Sequence, residues 1–348
     1  MTDAKKKNEK NILLLTTGGT IASLPGENGL EPQLDGDDLL RSVRGYYPQH
    51  TFACKSIMKH DSSNIQPEHW QVLARAVHEV QDLYDGVIVT HGTDTMAYTA
   101  AALSFMIRNL NKPVVLTGSQ IPASEPASDA PGNLHTAIAA VECGIRGVTV
   151  AFAGRVINGT RAVKTSTMGM AAFESVNAPL MAEVKADGMR VYATSTALLE
   201  PGSPPKLDDR LCTDVCLVKL VPGTKPELFD ALLSLKYRGV VIEAFGAGGV
   251  HYIERNLVEK IDMLRRNGVV VAVCSQCLYE RVDLTVYEVG SRLVEAGVIP
   301  CADMTTEAVV TKLMWALGRA LERSGDADPI AEVGAIFATG YAGEISLK

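Results

Sequence analysis

The sequence predicts an α/β protein built on an open, mostly parallel sheet. Short apolar runs rich in β-branched residues alternate with longer segments of helical period. Several of those runs are apolar at successive positions, as strands covered on both faces are. The length of 348 residues suits two domains at about 150 residues each.

The elements follow in order. Residues 11–16 form the first strand, behind the charged stretch Lys5-Lys6-Lys7. Trp70, Leu73, Ala74, Val77 and Tyr84 then recur at helical spacing behind Pro67, a residue suited to a first turn. Residues 86–90 are the second strand. After Asp94-Thr95 the helical period returns in Thr99, Leu103, Met106, Ile107 and Leu110. Strands follow at 113–117 and 148–152. The stretch 198–209 breaks the pattern with Pro201, Gly202, Ser203, Pro204 and Pro205, followed by charges. Beyond it lie strands at 215–221, 240–244 and 269–274 and a helical pattern from Thr306 to Leu321. The expected division is an N-terminal α/β domain over 1–198, a linker over 199–213 and a smaller C-terminal α/β domain over 214–348.

Composition removes several classes of function. Hydrophobic residues make up 47% and charged residues 21%, which argues against disorder and collagen-like repeats. With 33 basic and 40 acidic side chains the net charge is −7, and no basic block follows Lys7, so no nucleic-acid partner is expected. The run Ile12-Leu13-Leu14-Leu15 is shorter than a leader's apolar core, and no stretch suits a membrane span. Seven scattered cysteines, an odd number, fit reduced thiols in the cytoplasm. Cys212 and Cys216 with Cys274 and Cys277 invite a zinc reading, but they lie in or beside apolar strand-like runs, so no metal is expected.

Three strand exits carry unusual polar content, and ligands of open α/β sheets collect at such exits. The first strand runs into Thr17-Gly18-Gly19-Thr20, the second into His91-Gly92-Thr93-Asp94-Thr95, and a third into Thr117-Gly118-Ser119-Gln120. Viewed singly, the first two have bland explanations. Thr20 suits a helix cap, and Asp94 or Thr95 suits the N-cap of the next helix. No Gly-x-Gly-x-x-Gly or Gly-Lys-Ser/Thr pattern occurs at either turn. Together with Lys164, in a stretch rich in threonine, the exits supply the parts of a hydroxyl-nucleophile site. A threonine hydroxyl needs an adjacent base; a lysine desolvated in a cleft can have its pKa lowered enough to accept a proton, and Asp94 can hold it in place. Spacing alone does not separate Lys164 from a solvated loop lysine.

The motifs add a resemblance. Thr17-Gly18-Gly19-Thr20-Ile21-Ala22, the run from Gly86 to Met96 containing His91-Gly92-Thr93-Asp94-Thr95, and Gly118-Ser119-Gln120-Ile121-Pro122 are similar to motifs of the bacterial-type L-asparaginases. The Lys164 segment and Asp61-Ser62-Ser63-Asn64 extend the likeness, which is greatest to the cytoplasmic type I branch. The resemblance implies hydrolysis of L-asparagine to L-aspartate and ammonia with no cofactor. It implies Thr20 as the first nucleophile and Thr93, Asp94 and Lys164 as a second catalytic group. Asp61, Ser62, Ser63, Thr93, Asp94 and Ser119 would then bind substrate, Ser62 at its α-carboxylate and Asp94 at its α-ammonium. It further implies a homodimer or homotetramer with sites near subunit interfaces.

Departures from the family pattern are visible. Leu30, with Glu27 and Asn28 nearby, stands where members often carry a loop tyrosine. Gly249 replaces an asparagine contributed by a neighbouring subunit, and Glu243 stands where some members have an effector-binding arginine. Two other readings share the fold. One is the asparaginase-like subunit of a tRNA-dependent glutamyl amidotransferase, whose additional N-terminal domain has no room before Thr17. The other is a non-catalytic amino-acid sensor, which would not need Thr20, Thr93, Asp94 and Lys164 together.

Overall fold

The computed structural model describes residues 9–26, 29–196, 203–323 and 329–346. The chain forms two units, Met1–Asp209 and Arg210–Lys348. In the first, strand β1 (Asn11–Gly18) leads into a hairpin of β2 (Ser23–Gly26) and β3 (Gly29–Pro32), then helix α1 (Gly36–Arg41) and β4 (Thr51–His60). Helix α2 (Pro67–Val80), β5 (Gly86–Thr90), α3 (Met96–Met106), the short β6 (Ile107–Arg108) and β7 (Pro113–Thr117) follow. Helix α4 (Ala130–Glu142), β8 (Gly147–Phe152) and β9 (Arg155–Asn158) come next, then the small ladder of β10 (Ala162–Lys164) and β11 (Phe173–Ser175). The unit ends with β12 (Ala182–Lys185), β13 (Gly188–Val191) and β14 (Lys206–Leu207).

The main sheet has the order β13-β12-β9-β8-β7-β5-β1-β4, and its five strands from β8 to β4 are parallel. Every residue of β5, β7 and β8 is buried, as their unbroken apolar runs require. From β1 the chain passes to β4 on one side and returns to β5 on the other. The carboxyl ends of β1 and β5 thus flank a change in strand order, where such sheets open a crevice.

The parallel strands expected in this unit are present, with small shifts at their ends, and three features differ from expectation. β4 escapes the periodicity because it is an edge strand, partly exposed along its length and carrying Lys55, Ser56 and Lys59. Helix α3 stops at Met106 rather than reaching Leu110. Ile107 and Arg108 pair with Leu207 and Lys206, and Asn109 takes a left-handed φ of 56°. This helix is buried on nearly all sides, so its apolar spacing marks no single face. Tyr84 lies beyond the end of α2, although Pro67 opens that helix and Trp70, Leu73, Ala74 and Val77 are buried along it.

In the second unit β15 (Val215–Lys219), β16 (Gly239–Ala244), β17 (Val270–Ser275) and β18 (Ile299–Pro300) form a parallel sheet in chain order. The first strand ends at Lys219, two residues short of the expected end. Helices α5 (Glu227–Ser234), α6 (Leu257–Arg266), α7 (Glu288–Glu295), α8 (Thr306–Arg323) and α9 (Pro329–Phe337) complete the unit. Ile242, Val271 and Val273 pack with Leu257, Ile261 and Leu264 in its core. Lys312 of α8 is fully buried and meets Glu344, equally buried, at 2.6 Å. Lys312 also donates to the Thr339 carbonyl at 2.8 Å, while Glu344 accepts from the backbone N–H groups of Tyr341 and Ala342. Burial pulls the Lys312 pKa down and the Glu344 carboxylate pushes back.

Candidate active site

The first two strand exits meet through glycine. Gly18 and Gly19 have φ of 101° and 77°, a region that L side chains avoid. A Cβ on Gly19 would lie 2.3 Å from the Gly92 nitrogen, so only a bare backbone lets the two loops touch. The N–H of Gly19 donates to the His60 carbonyl at 2.9 Å, which ties the first loop to the end of β4. Gly92 in turn lies against Ser62, whose Oγ would be 2.6 Å from a Cβ there. Thr20 follows directly and opens a short 3-10 turn over Thr20–Ala22. It does not cap that turn, because Gly19 occupies the N-cap. The half-buried Thr20 hydroxyl has no hydrogen-bond partner among the described residues.

The second exit gathers the polar groups. Lys164 Nζ donates to Thr93 Oγ1 at 2.8 Å and to Asp94 Oδ1 at 2.6 Å. The β10–β11 ladder carries the lysine there, so it is not a solvated loop residue: its side chain is 16% exposed, against 61% for Asp94. Thr93 is buried and also donates to Gln120 Oε1 at 3.3 Å. The N–H groups of Thr93 and Asp94 have no acceptor among the described residues, and they sit just ahead of α3. A helix N-terminus with free N–H groups attracts negative charge. Thr95 is the N-cap residue, but its hydroxyl makes no capping bond and donates instead to the Ser62 carbonyl at 2.8 Å. Thr95 therefore holds the N-cap position, as the bland reading expected, but without a side-chain cap, and the Asp94 carboxylate is taken by Lys164 instead.

The remaining expected ligands fall into two sets. Ser62 is buried beside Gly92, in reach of the cluster. Asp61 accepts from the Ser63 N–H at 2.8 Å and caps the turn that holds Ser62, so its visible part is to shape that turn. Ser63 is exposed, and Ser119 donates inward to the Ile121 carbonyl at 2.6 Å. Among the described residues, no three His, Cys, Asp or Glu side chains group as metal ligands.

His91 belongs to the second motif, yet the sequence assigns it no role. The Trp70 indole N–H, which can only donate, bonds Thr99 Oγ1 at 3.1 Å. With that hydroxyl accepting from the indole, its own proton goes to His91 Nε2 at 2.9 Å, and His91 Nδ1–H donates to the Gly92 carbonyl at 2.7 Å. In this arrangement a neutral imidazole braces the loop ahead of Thr93. Complete burial agrees, holding the His91 pKa down to about 4. The linkage sign follows from the ordinary value of 6.5: between pH 6.5 and 4 the unfolded chain binds a proton that the folded one refuses. Stability should therefore be full above pH 6.5 and fall by up to about 3 kcal/mol on acidification to pH 4, at about 1.4 kcal/mol per unit. Urea unfolding of wild type and His91→Gln across this range checks it; parallel curves would contradict it.

Comparison with known proteins identifies the family. Residues 11–197 match the family model "Asparaginase, N-terminal", and residues 214–325 match "Glutaminase/Asparaginase C-terminal domain". The chain belongs to the asparaginase family. Asparaginases are amidohydrolases. The L-asparaginase of Thermococcus kodakarensis is 45% identical over 96% of this chain and 99% of that protein. The solved thermostable L-asparaginase from that organism superposes with a TM-score of 0.89 at 44% identity, covering 97% of this chain and 100% of that one. L-asparaginase I of Vibrio cholerae gives 0.83 at 30% identity over 97% and 100% of the two chains. A subunit of the glutamyl-tRNA(Gln) amidotransferase of T. kodakarensis is 36% identical over 98% of this chain and 78% of its own length.

The departures from the asparaginase pattern have local explanations. Leu30, in the β2–β3 hairpin, is 55% exposed and is no core residue. Its neighbours Glu27 and Asn28 lie outside the described residues. Gly249 closes a tight turn, its N–H bonded to the Phe245 carbonyl at 2.7 Å. Glu243 is committed within its own unit, accepting from Thr306 Oγ1 at 2.6 Å and pairing with Lys219 at 3.1 Å.

Proposed function

We propose that this chain hydrolyses L-asparagine to L-aspartate and ammonia through a β-aspartyl ester on Thr20. The observation that carries the reading is Lys164 Nζ bonded at once to Thr93 and Asp94, on a loop whose backbone touches the loop of Thr20. An amide carbon is a weak electrophile, and an ester intermediate divides its hydrolysis into two easier steps. Thr20 Oγ attacks the side-chain amide carbon and its proton leaves with the ammonia. The free N–H groups at Thr93 and Asp94 face the developing oxyanion; one such donor is worth about 3 kcal/mol in acyl-transfer sites. In the second step Lys164, acting with Thr93, activates a water that cleaves the ester. General-base assistance of this kind contributes about 10²–10⁴-fold.

Asp94 keeps exposed carboxylate surface for the substrate α-ammonium, and Ser62 lies where the α-carboxylate would dock. Such charge-assisted contacts favour an amino-acid amide over a simple one. Asparagine and glutamine differ by one methylene, worth about 1–3 kcal/mol in a fitted pocket. We place the enzyme in the cytoplasm as a homodimer or homotetramer, without nucleic-acid or membrane partners. Seven unbridged cysteines support that compartment, and no described helix is long and apolar enough to cross a membrane.

Ammonia release from L-asparagine and from L-glutamine, measured over a wide concentration range, tests the reading. Saturable release from asparagine with the higher kcat/KM is expected. Asparagine binding without ammonia would leave the sensor reading in its place.

A further inference from the structure

Gln120 stands among the motif residues with no chemistry assigned to it, yet its side chain bonds both Thr93 and the turn that follows Lys164. Its Nε2 donates to two carbonyls, Thr167 O at 3.0 Å and Gly169 O at 3.2 Å. Carbonyls only accept, so the amide orientation is forced and Oε1 must face Thr93. Oε1 also only accepts, so the 3.3 Å contact is a bond donated by the Thr93 hydroxyl. The Thr93 proton is thereby turned away from Lys164, and a Thr93 lone pair receives the Lys164 N–H at 2.8 Å. The same side chain holds the turn at residues 165–169, which follows Lys164 directly and is closed by the Gly169 N–H on Ser166 Oγ. Gln120 is itself fixed, its backbone N–H sitting on the Asp129 carboxylate at 3.0 Å.

We infer that Gln120 is a positioning residue: one amide sets the direction of the Thr93 hydroxyl and anchors the turn that keeps Lys164 upon it. The inference rests on the proposed role of Thr93 and Lys164 in asparagine hydrolysis. Gln120 does not touch the reacting atoms and acts through Thr93. Its loss should therefore slow the chemical steps and leave substrate capture by Asp94 and Ser62 largely alone.

The charged groups near Lys164 are Asp94 at 2.6 Å, Glu174, which faces Val163 across the β10–β11 ladder and accepts from Thr165, and Asp129 on the Gln120 N–H. Gln120→Glu adds a carboxylate to this set. An added anion favours the protonated forms of its neighbours, so the rising limb of the kcat–pH profile should move to higher pH. Gln120→Met has similar length and adds no charge. It should lower kcat at least about 10-fold with KM changed less than about threefold, leave that limb in place and leave the unfolding midpoint near that of wild type.

The experiment is ammonia release by wild type, Gln120→Met and Gln120→Glu from pH 5 to 10, with thermal unfolding of each. A Gln120→Met kcat within twofold of wild type, a loss seen only in KM, or a Gln120→Glu limb that coincides with wild type would overturn the inference. Should Gln120→Met fail to fold, the near-isosteric Gln120→Glu decides through its pH limb. Failure of wild type to release ammonia would instead reject the functional reading, a result no Gln120 variant can mimic.

Discussion

Replacing Thr20 by Ala should lower turnover of L-asparagine by at least about 10³-fold and leave the unfolding midpoint nearly unchanged. The second half of that expectation comes from the structure. Thr20 is half-buried and its hydroxyl has no partner among the described residues, so the substitution breaks no internal hydrogen bond. Lys164→Met should lose activity on a similar scale, because it strips Thr93 of its donor and the site of its base. Its effect on stability is also expected to be small. Asp94 is 61% exposed and keeps its hydration when the lysine is gone, and exposed ion pairs contribute about 0–1 kcal/mol. Steady-state kinetics paired with thermal unfolding separate the two roles. Near-normal rates in either variant would reject the assignment, and loss of rate only in step with loss of fold would assign the residue to structure.

A large effect of the opposite kind is expected at the far end of the chain. Lys312→Met should destabilise the protein by about 3–5 kcal/mol, since it leaves the Glu344 carboxylate buried without a counter-charge. Two backbone N–H groups still reach that carboxylate, from Tyr341 and Ala342, and they soften the loss without replacing the ammonium. Replacing both partners, as in Lys312→Met with Glu344→Gln, should cost less than the sum of the single changes because no lone charge remains buried. Chemical unfolding of the four proteins closes the cycle. Additive losses would show that the pair is not coupled across its 2.6 Å contact.

The parts of the site that announce themselves in the sequence are those on strand exits. Thr20, Thr93 and Asp94 each follow an apolar run directly, and the glycines beside them mark where backbones must touch. Lys164 is different. It lies on a three-residue strand, too short to show a period, and its hold comes from pairing with Phe173 across the β10–β11 ladder. Gln120 is in plain view within its motif, but its bonds go to a turn 47 and 49 positions away, which no local pattern encodes. β4 is hidden for the reason edge strands often are: with partial exposure along its length, polar residues replace the alternation a buried strand would show. Its end nevertheless supplies the carbonyl that holds Gly19. Spacing overstates the extent of α3 because a helix buried on nearly all sides offers no amphipathic edge at which to stop counting.

The most direct measurement is peptide mass spectrometry of protein quenched in acid while turning over L-asparagine. An aspartyl ester on the peptide that contains Thr20, and its absence from Thr20→Ala treated in the same way, is the predicted result. An ester carried by Thr93 or by any other residue would contradict the proposed nucleophile, whatever the rates of the variants.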